Sequence, residues 1–154
     1  MAQQKILIDN RHEETLPSRQ VKQKTEQILN ALGFNDHELS LVIMDDAGIQ
    51  ELNSTYRGMD KPTNVLSFSM QEGEFSQITP GLLGDVIISV ETAEKEAADA
   101  GISLEERISQ LLIHGILHLA GLDHELGEKE AMKMEEKSLE ILRQIEPNTD
   151  LTAF

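Results

Sequence analysis

Between residues 111 and 119 the chain reads Leu111-Leu-Ile-His114-Gly115-Ile-Leu-His118-Leu119, apolar nearly all round a helical projection. A helix of this kind has almost no solvent face and must be buried on most sides, against a sheet and other helices. Upstream, Ser103-Leu-Glu-Glu106 is a capping-box sequence that starts the helix. Downstream, Gly121 falls just past the apolar run, where a left-handed glycine ends a helix and turns the chain. A central helix without a wet face requires the rest of the chain to supply its cover.

That cover is legible on both sides. Toward the C-terminus, Gly127 to Ile145 is amphipathic, with Met132, Leu139 and Leu142 among its apolar positions, and the segment from Pro147 to Phe154 is expected to be loosely ordered. Toward the N-terminus, Glu91 to Ala100 reads as a helix stopped by Gly101. Leu83–Ser89 and Asn64–Met70 read as neighbouring strands of an antiparallel pair, with an open Gly-, Ser- and Pro-containing loop over residues 71–81. Asp45-Asp46 begins a helix through Ile49, Leu52 and Tyr56 that ends at Arg57-Gly58, after a buried strand at Leu39–Met44. Before it, Pro17-Ser18 opens a helix through Val21, Ile28, Leu29 and Leu32, with a serine cap and a stop at Gly33, and Ile6–Ile8 is a short strand. The order βαβαββααα predicts one α/β (α+β) domain over residues 1–146, a mixed sheet of about four strands packed with about five helices, and a tail at 147–154.

Composition narrows the chemistry. The 154 residues suit a single core, and ordinary apolar and charged fractions exclude a disordered or rod-like chain. With no cysteine, disulfide scaffolds, zinc ribbons and thiolate nucleophiles are excluded, so a transition metal must sit on histidine or carboxylate. The net charge of −15 opposes polyanions at long range, yet residues 1–77 carry only −5 and hold Arg11, Arg19, Lys22, Lys24, Arg57 and Lys61. The apolar run near the N-terminus is too short for a signal peptide, and no stretch approaches the ~18 apolar residues of a membrane span. A cytoplasmic protein with no membrane partner is the expectation.

Three of the five histidines fall within eleven residues, as His114-x3-His118-x2-Gly121-x2-His124. At i and i+4 the first two project from one helix face and can reach one ion, and the turn at Gly121 can bring His124 back over that face. Three neutral imidazoles leave a fourth position open, as in catalytic rather than structural zinc sites. The spacing overlaps H-E-x-x-H-x-x-G-x-x-H zinc peptidases, but the position of their general-base Glu is Gly115. Water would then be activated by the ion itself or by a group elsewhere in the chain. His12 and His37, in polar surroundings, read as surface residues.

The histidine block, together with Tyr56-Arg57-Gly-Met-Asp-Lys61-Pro62-Thr63-Asn64-Val-Leu-Ser67-Phe68 and Leu83-Gly84-Asp85-Val-Ile-Ile-Ser89, resembles the bacterial YbeY family of metal-dependent endoribonucleases. The resemblance covers essentially the whole chain. It implies cleavage of single-stranded RNA, maturation of the 3′ end of small-subunit (16S) ribosomal RNA, ribosome quality control, and one Zn2+ per chain on His114, His118 and His124. It makes Arg57 and His114 the expected catalytic residues. A planar, always-charged guanidinium can hold the non-bridging oxygens on which phosphodiester cleavage builds charge, although Arg57 also suits a helix C-terminus for purely dipolar reasons. Implied partners are ribosomal RNA and the small ribosomal subunit, with a ribosomal protein or an assembly GTPase compatible with the acidic surface; DNA is not expected.

Departures from the family pattern are Asn64 for Asp, Ser69 for Pro and Leu122 for Tyr. None is an expected ligand, although Asn64 removes a carboxylate. Lys61 is a weaker substrate-binding candidate, Asp85 is equally a candidate for orienting an imidazole and a strand-end acid making a local turn bond, and Asp123 either orients an imidazole or is a turn residue. A ribosome-associated assembly factor with a mainly structural metal, and a zinc peptidase with an unusual base, are the alternatives.

Overall fold

The computed structural model describes residues 5–34, 37–69, 82–121 and 127–153. Its elements run β1 (Lys5–Asn10), α1 (Ser18–Leu32), β2 (Glu38–Met44), α2 (Asp46–Arg57), β3 (Val65–Ser69), β4 (Leu82–Ser89), α3 (Val90–Ala100), α4 (Leu104–Leu119) and α5 (Glu128–Ile145). The sheet order is β1-β2-β4-β3, with β1, β2 and β4 parallel and β3 antiparallel to β4 at the edge. This is the expected mixed α+β arrangement. The expected loop at 71–81 lies outside the described residues, as does Met70 at the end of the strand read as Asn64–Met70.

Strand alternation divides the core in two. Leu39, Leu41 and Ile43 of β2 and Val86 and Ile88 of β4 face one side, where they join Val21, Ile28 and Leu29 of α1, the apolar residues of α4, and Met134, Ile141 and Leu142 of α5. Met44, Leu66 and Ile87 face the other side and pack on Ile49, with Leu52 and Phe68 partly buried around them. The first layer is the larger, and α4 is its centre, buried from Arg107 to Ile113 without interruption. Of α5's predicted apolar positions, Met132 is 61% exposed, and it is Met134 that enters the core. The stripe is displaced because Met134, Ser138, Ile141 and Leu142 lie on the helix side turned toward α4.

The helix ends follow local chemistry, with one correction. Ser103 and Glu106 form the capping box expected for α4, Ser103 N–H donating to Glu106 Oε1 (2.9 Å) and Glu106 N–H to Ser103 Oγ (3.1 Å). Asp45 caps α2 by accepting from Gly48 N–H at 2.8 Å, and Gly33, Gly58 and Gly101 end α1, α2 and α3 with positive φ. Ser18, however, does not cap α1. Pro17 takes the cap position and has no side-chain donor or acceptor, so Glu13 reaches across and accepts from Ser18 N–H (2.9 Å) and from its hydroxyl (2.5 Å). Those two bonds hold the Glu13 carboxyl below its ordinary value.

Two polar chains tie the helices to each other. Lys24 of α1 donates to Ser109 of α4 (2.8 Å) and pairs with Glu146 just past α5, and Ser109 Oγ donates to the same carboxylate (2.6 Å). Arg107 of α4 donates to Glu96 of α3 through Nε (3.1 Å) and Nη2 (2.9 Å) and to Gln110 Oε1 (2.8 Å), while Gln110 Nε2 donates to the Thr152 carbonyl (2.9 Å). This last bond, with Leu151 buried at 7% exposure, anchors the segment expected to run loose after α5. An apolar side chain three residues from the end reaches the core because Gln110 holds the backbone beside it.

Gly84 carries the strictest backbone constraint. Its φ is +144°, and a Cβ there would lie 2.1 Å from the carbonyl oxygen of Phe68 and 3.0 Å from Leu119 Cδ2. Gly84→Ala is therefore expected to destabilise the fold by about 2–3 kcal/mol, melting about 5–10 °C lower in a thermal scan, since neither strand backbone nor α4 can yield cheaply. A variant that melts with the wild type would refute this account of the β3–β4 approach.

Asp46 links α2 to α3. Burial raises its pKa, but donation from the hydroxyls of Ser89 (2.6 Å) and Thr92 (2.5 Å) and from Lys95 outweighs burial and holds the carboxyl below its ordinary 3.8. A carboxyl whose folded pKa is depressed stabilises the fold above its unfolded value and loses that contribution as pH falls through the folded one. Wild type should thus lose stability more steeply than Asp46→Asn below pH ~4 in denaturant titrations, the difference being absent from the slope near neutrality.

Candidate functional site

On the otherwise buried middle of α4, His114 and His118 are the two half-buried side chains between Leu111 and Leu119. Their rings stand with centroids 4.7 Å apart and planes inclined by 65°, and the two Nε2 atoms are 3.2 Å apart. Two nitrogens bound at about 2.0–2.1 Å to a tetrahedral ion are separated by about 3.3 Å. The pair therefore already has the spacing of two ligands on one ion. His124, the expected third ligand, and Asp123 lie outside the described residues, and among the described residues no group of three histidines or carboxylates is gathered. Gly121 ends the helix as expected: its φ is +91°, and its N–H donates to the His118 carbonyl at 3.1 Å.

The residue between the histidines has a defined task. A Cβ on Gly115 would lie 2.9 Å from Val86 Cγ1 and 3.2 Å from Ser67 Oγ. Glycine here lets α4 lie directly on β4 and β3, and the same contact leaves no room for the glutamate that zinc peptidases carry at this position. The missing general base is thus a packing requirement of this fold.

Ser67 joins the two halves of the site. Its hydroxyl donates to the Gly115 carbonyl at 3.1 Å, one residue from His114, and its own carbonyl accepts from Arg57 Nη2 at 3.1 Å. Arg57 reaches that edge carbonyl from the last turn of α2, with its guanidinium 5.7 Å from the centre of the Phe68 ring. It is exposed, and no other described residue accepts from its remaining N–H donors. The guanidinium is held in place by one bond and a ring contact while most of its fork is open to a ligand.

The other candidates are placed elsewhere. Asp85 pairs with Phe68 across the β3–β4 ladder and lines a hollow with Leu52, Tyr56, Phe68 and Ile87, on the face opposite Val86 and Gly115. A strand turns successive side chains to opposite faces, so Asp85 cannot orient an imidazole on α4. Asn64 donates to Glu96 at 3.2 Å and so belongs to the Arg107 chain, where a carboxylate would face another carboxylate. Lys61 is exposed, and its carbonyl accepts from Asn53 at 3.0 Å. His12 is half-buried, and His37 packs edge-on against Phe34 with ring centres 5.0 Å apart, so neither is the open surface residue expected.

Sequence reading passed over two features. Ser67 was detectable, since strand alternation puts it on the inward face with Val65. The other is a cavity of about 410 Å³ between α4, α5 and the C-terminal segment, with His114 on its wall and Glu135 and Ser138 among its polar lining. Nothing in the spacing of α5 sets Glu135 apart from its many acidic neighbours.

Comparison with known proteins agrees with this architecture. A family model described as "Endoribonuclease YbeY" matches residues 7–146. The endoribonuclease YbeY of Geobacter sulfurreducens is 49% identical over 144 residues, which span 92% of this chain and 96% of that protein. Its namesake in Aquifex aeolicus is 52% identical over 116 residues, 75% of each chain. A solution structure of a Thermotoga maritima protein superposes with a TM-score of 0.63 at 28% identity, covering 92% of this chain and 87% of the other. Sequence likeness over nearly the full length and a shared fold lead to one assignment: the chain belongs to the endoribonuclease YbeY family.

Proposed function

We propose that this protein is a zinc-dependent endoribonuclease that cuts single-stranded RNA in the maturation of small-subunit ribosomal RNA, working in the cytoplasm on the ribosomal small subunit. The observation that carries the reading is the 3.2 Å separation of the His114 and His118 nitrogens on a helix whose Gly115 carbonyl is bonded to Ser67, the residue that also holds Arg57. His114, His118 and His124 hold one Zn2+. When bound, the ion supplies a Lewis acid and a water acidified toward neutrality.

The chain's own residues do the rest. His114 and His118 would present Nε2 to the ion from a helix fixed on both flanks, so these two side chains need little rearrangement on binding. Arg57 takes non-bridging phosphate oxygens through the N–H groups that Ser67 does not use, and neutralises the charge that develops there. The −15 net charge opposes a stiff duplex of high charge density more than a flexible strand, which is consistent with single-strand selectivity. Among the described residues no helix is long and apolar enough to cross a membrane.

His114→Ala is expected to lose stoichiometric zinc in a metal analysis and to reduce cleavage of a single-stranded RNA by about 100-fold or more, with the fold kept because the position is half-buried. Full metal content with full cleavage would overturn the site.

Arg57→Lys should retain zinc and the melting temperature while kcat falls by about 10²–10³. A variant that keeps wild-type turnover would remove Arg57 from the chemistry.

A further inference from the structure

The geometry points to a nucleobase pocket beside the metal-binding histidines: the cavity between α4, α5 and the C-terminal segment receives the base of the nucleotide flanking the scissile phosphate, and it prefers bases that carry an amine over uracil. This inference rests on the endoribonuclease reading and adds a specificity determinant to it. The cavity measures about 410 Å³ and has His114 on its wall. Pockets that hold small ligands run roughly 300–1,000 Å³, so a single base with its waters fits.

The lining has the chemistry of a base site. Ser138 is only 3% exposed, and it lines the cavity. A serine hydroxyl both donates and accepts, so it can meet either kind of base edge from the cavity wall. Ala131 and the buried Met134 provide an apolar surface, and a thioether packs favourably on an aromatic face. Glu135 brings a carboxylate to the same space. An ionised carboxylate only accepts hydrogen bonds, so it suits the exocyclic amines of adenine, cytosine and guanine, whereas uracil offers one N–H, at N3, flanked by two carbonyl oxygens that the carboxylate repels. The same charge repels the phosphate, so the base enters and the backbone stays at the histidines and Arg57.

The test uses the zinc-loaded protein and the nucleosides adenosine, cytidine, guanosine and uridine, which carry no phosphate for the metal to hold. In an NMR titration, cytidine should move the amide signals of Ala131 and Ser138 and bind about tenfold tighter than uridine. Glu135→Gln should erase that difference, because an amide both donates and accepts. Ala131→Leu should fill the cavity and abolish nucleoside binding at unchanged zinc content, and Ser138→Ala, which adds no volume, should weaken it. Single-stranded RNAs differing at one position should be cut with the same preference. If cytidine and uridine bind alike, or Ala131→Leu binds both as wild type does, the pocket is overturned even with RNA cleavage intact. If nucleosides seat in the cavity as described but the protein cuts no RNA, the endoribonuclease reading fails and the base site stands.

Discussion

Contact between Gly115 and the sheet is the constraint on which the rest of the structure depends. A helix buried on nearly every side can rest this close to β4 and β3 only where one residue has no side chain, because Val86 and Ser67 already occupy the space a Cβ would need. The closeness lets the Ser67 hydroxyl reach a helix carbonyl, and it turns the flanking His114 and His118 toward the helix's remaining open side. Gly84 extends the same logic to the strands, since its bare backbone admits the Phe68 carbonyl and the end of α4. Two glycines thus set how closely the helix that carries the histidines lies on the sheet.

Around that contact the helices are pinned by charge as much as by apolar burial. Lys24, Ser109 and Glu146 join the first, central and last helices, and Arg107 joins α3, α4 and the C-terminal segment through Glu96 and Gln110. Such buried polar chains are costly unless complete, and here each charged group meets an opposite one with further hydrogen bonds. Their position matters for function. By anchoring Leu151 and Thr152 against α4, the Arg107 chain gives the cavity beside His114 a third wall. A helical pair alone would leave that space open to solvent.

The element order, the central helix, its capping box and the metal-type histidine spacing were all legible in the residues, because each is a local pattern read over a few turns. The misreadings share a cause. Residue type alone leaves Asp85 equally open to orienting an imidazole or to a local turn bond, and strand alternation sends its carboxylate to the face away from α4. Ser18 matches a cap by type, yet it follows Pro17 inside the helix, and Glu13 from outside does the capping. Met132 and Met134 are chemically equal, and only the position of α4 decides which one is buried.

The sequence by itself determined the secondary structure, the fold class and the placement of two imidazoles on one helix face, since the helical period ties residues four apart whatever surrounds them. Tertiary structure alone decided that Arg57, some sixty residues earlier, shares Ser67 with the histidine helix, and that a cavity lined by Ser138 and Glu135 opens beside His114. Those facts depend on which strand lies at the sheet edge and on how closely two layers approach. Both are set by contacts between residues distant in the chain, and no local periodicity records them.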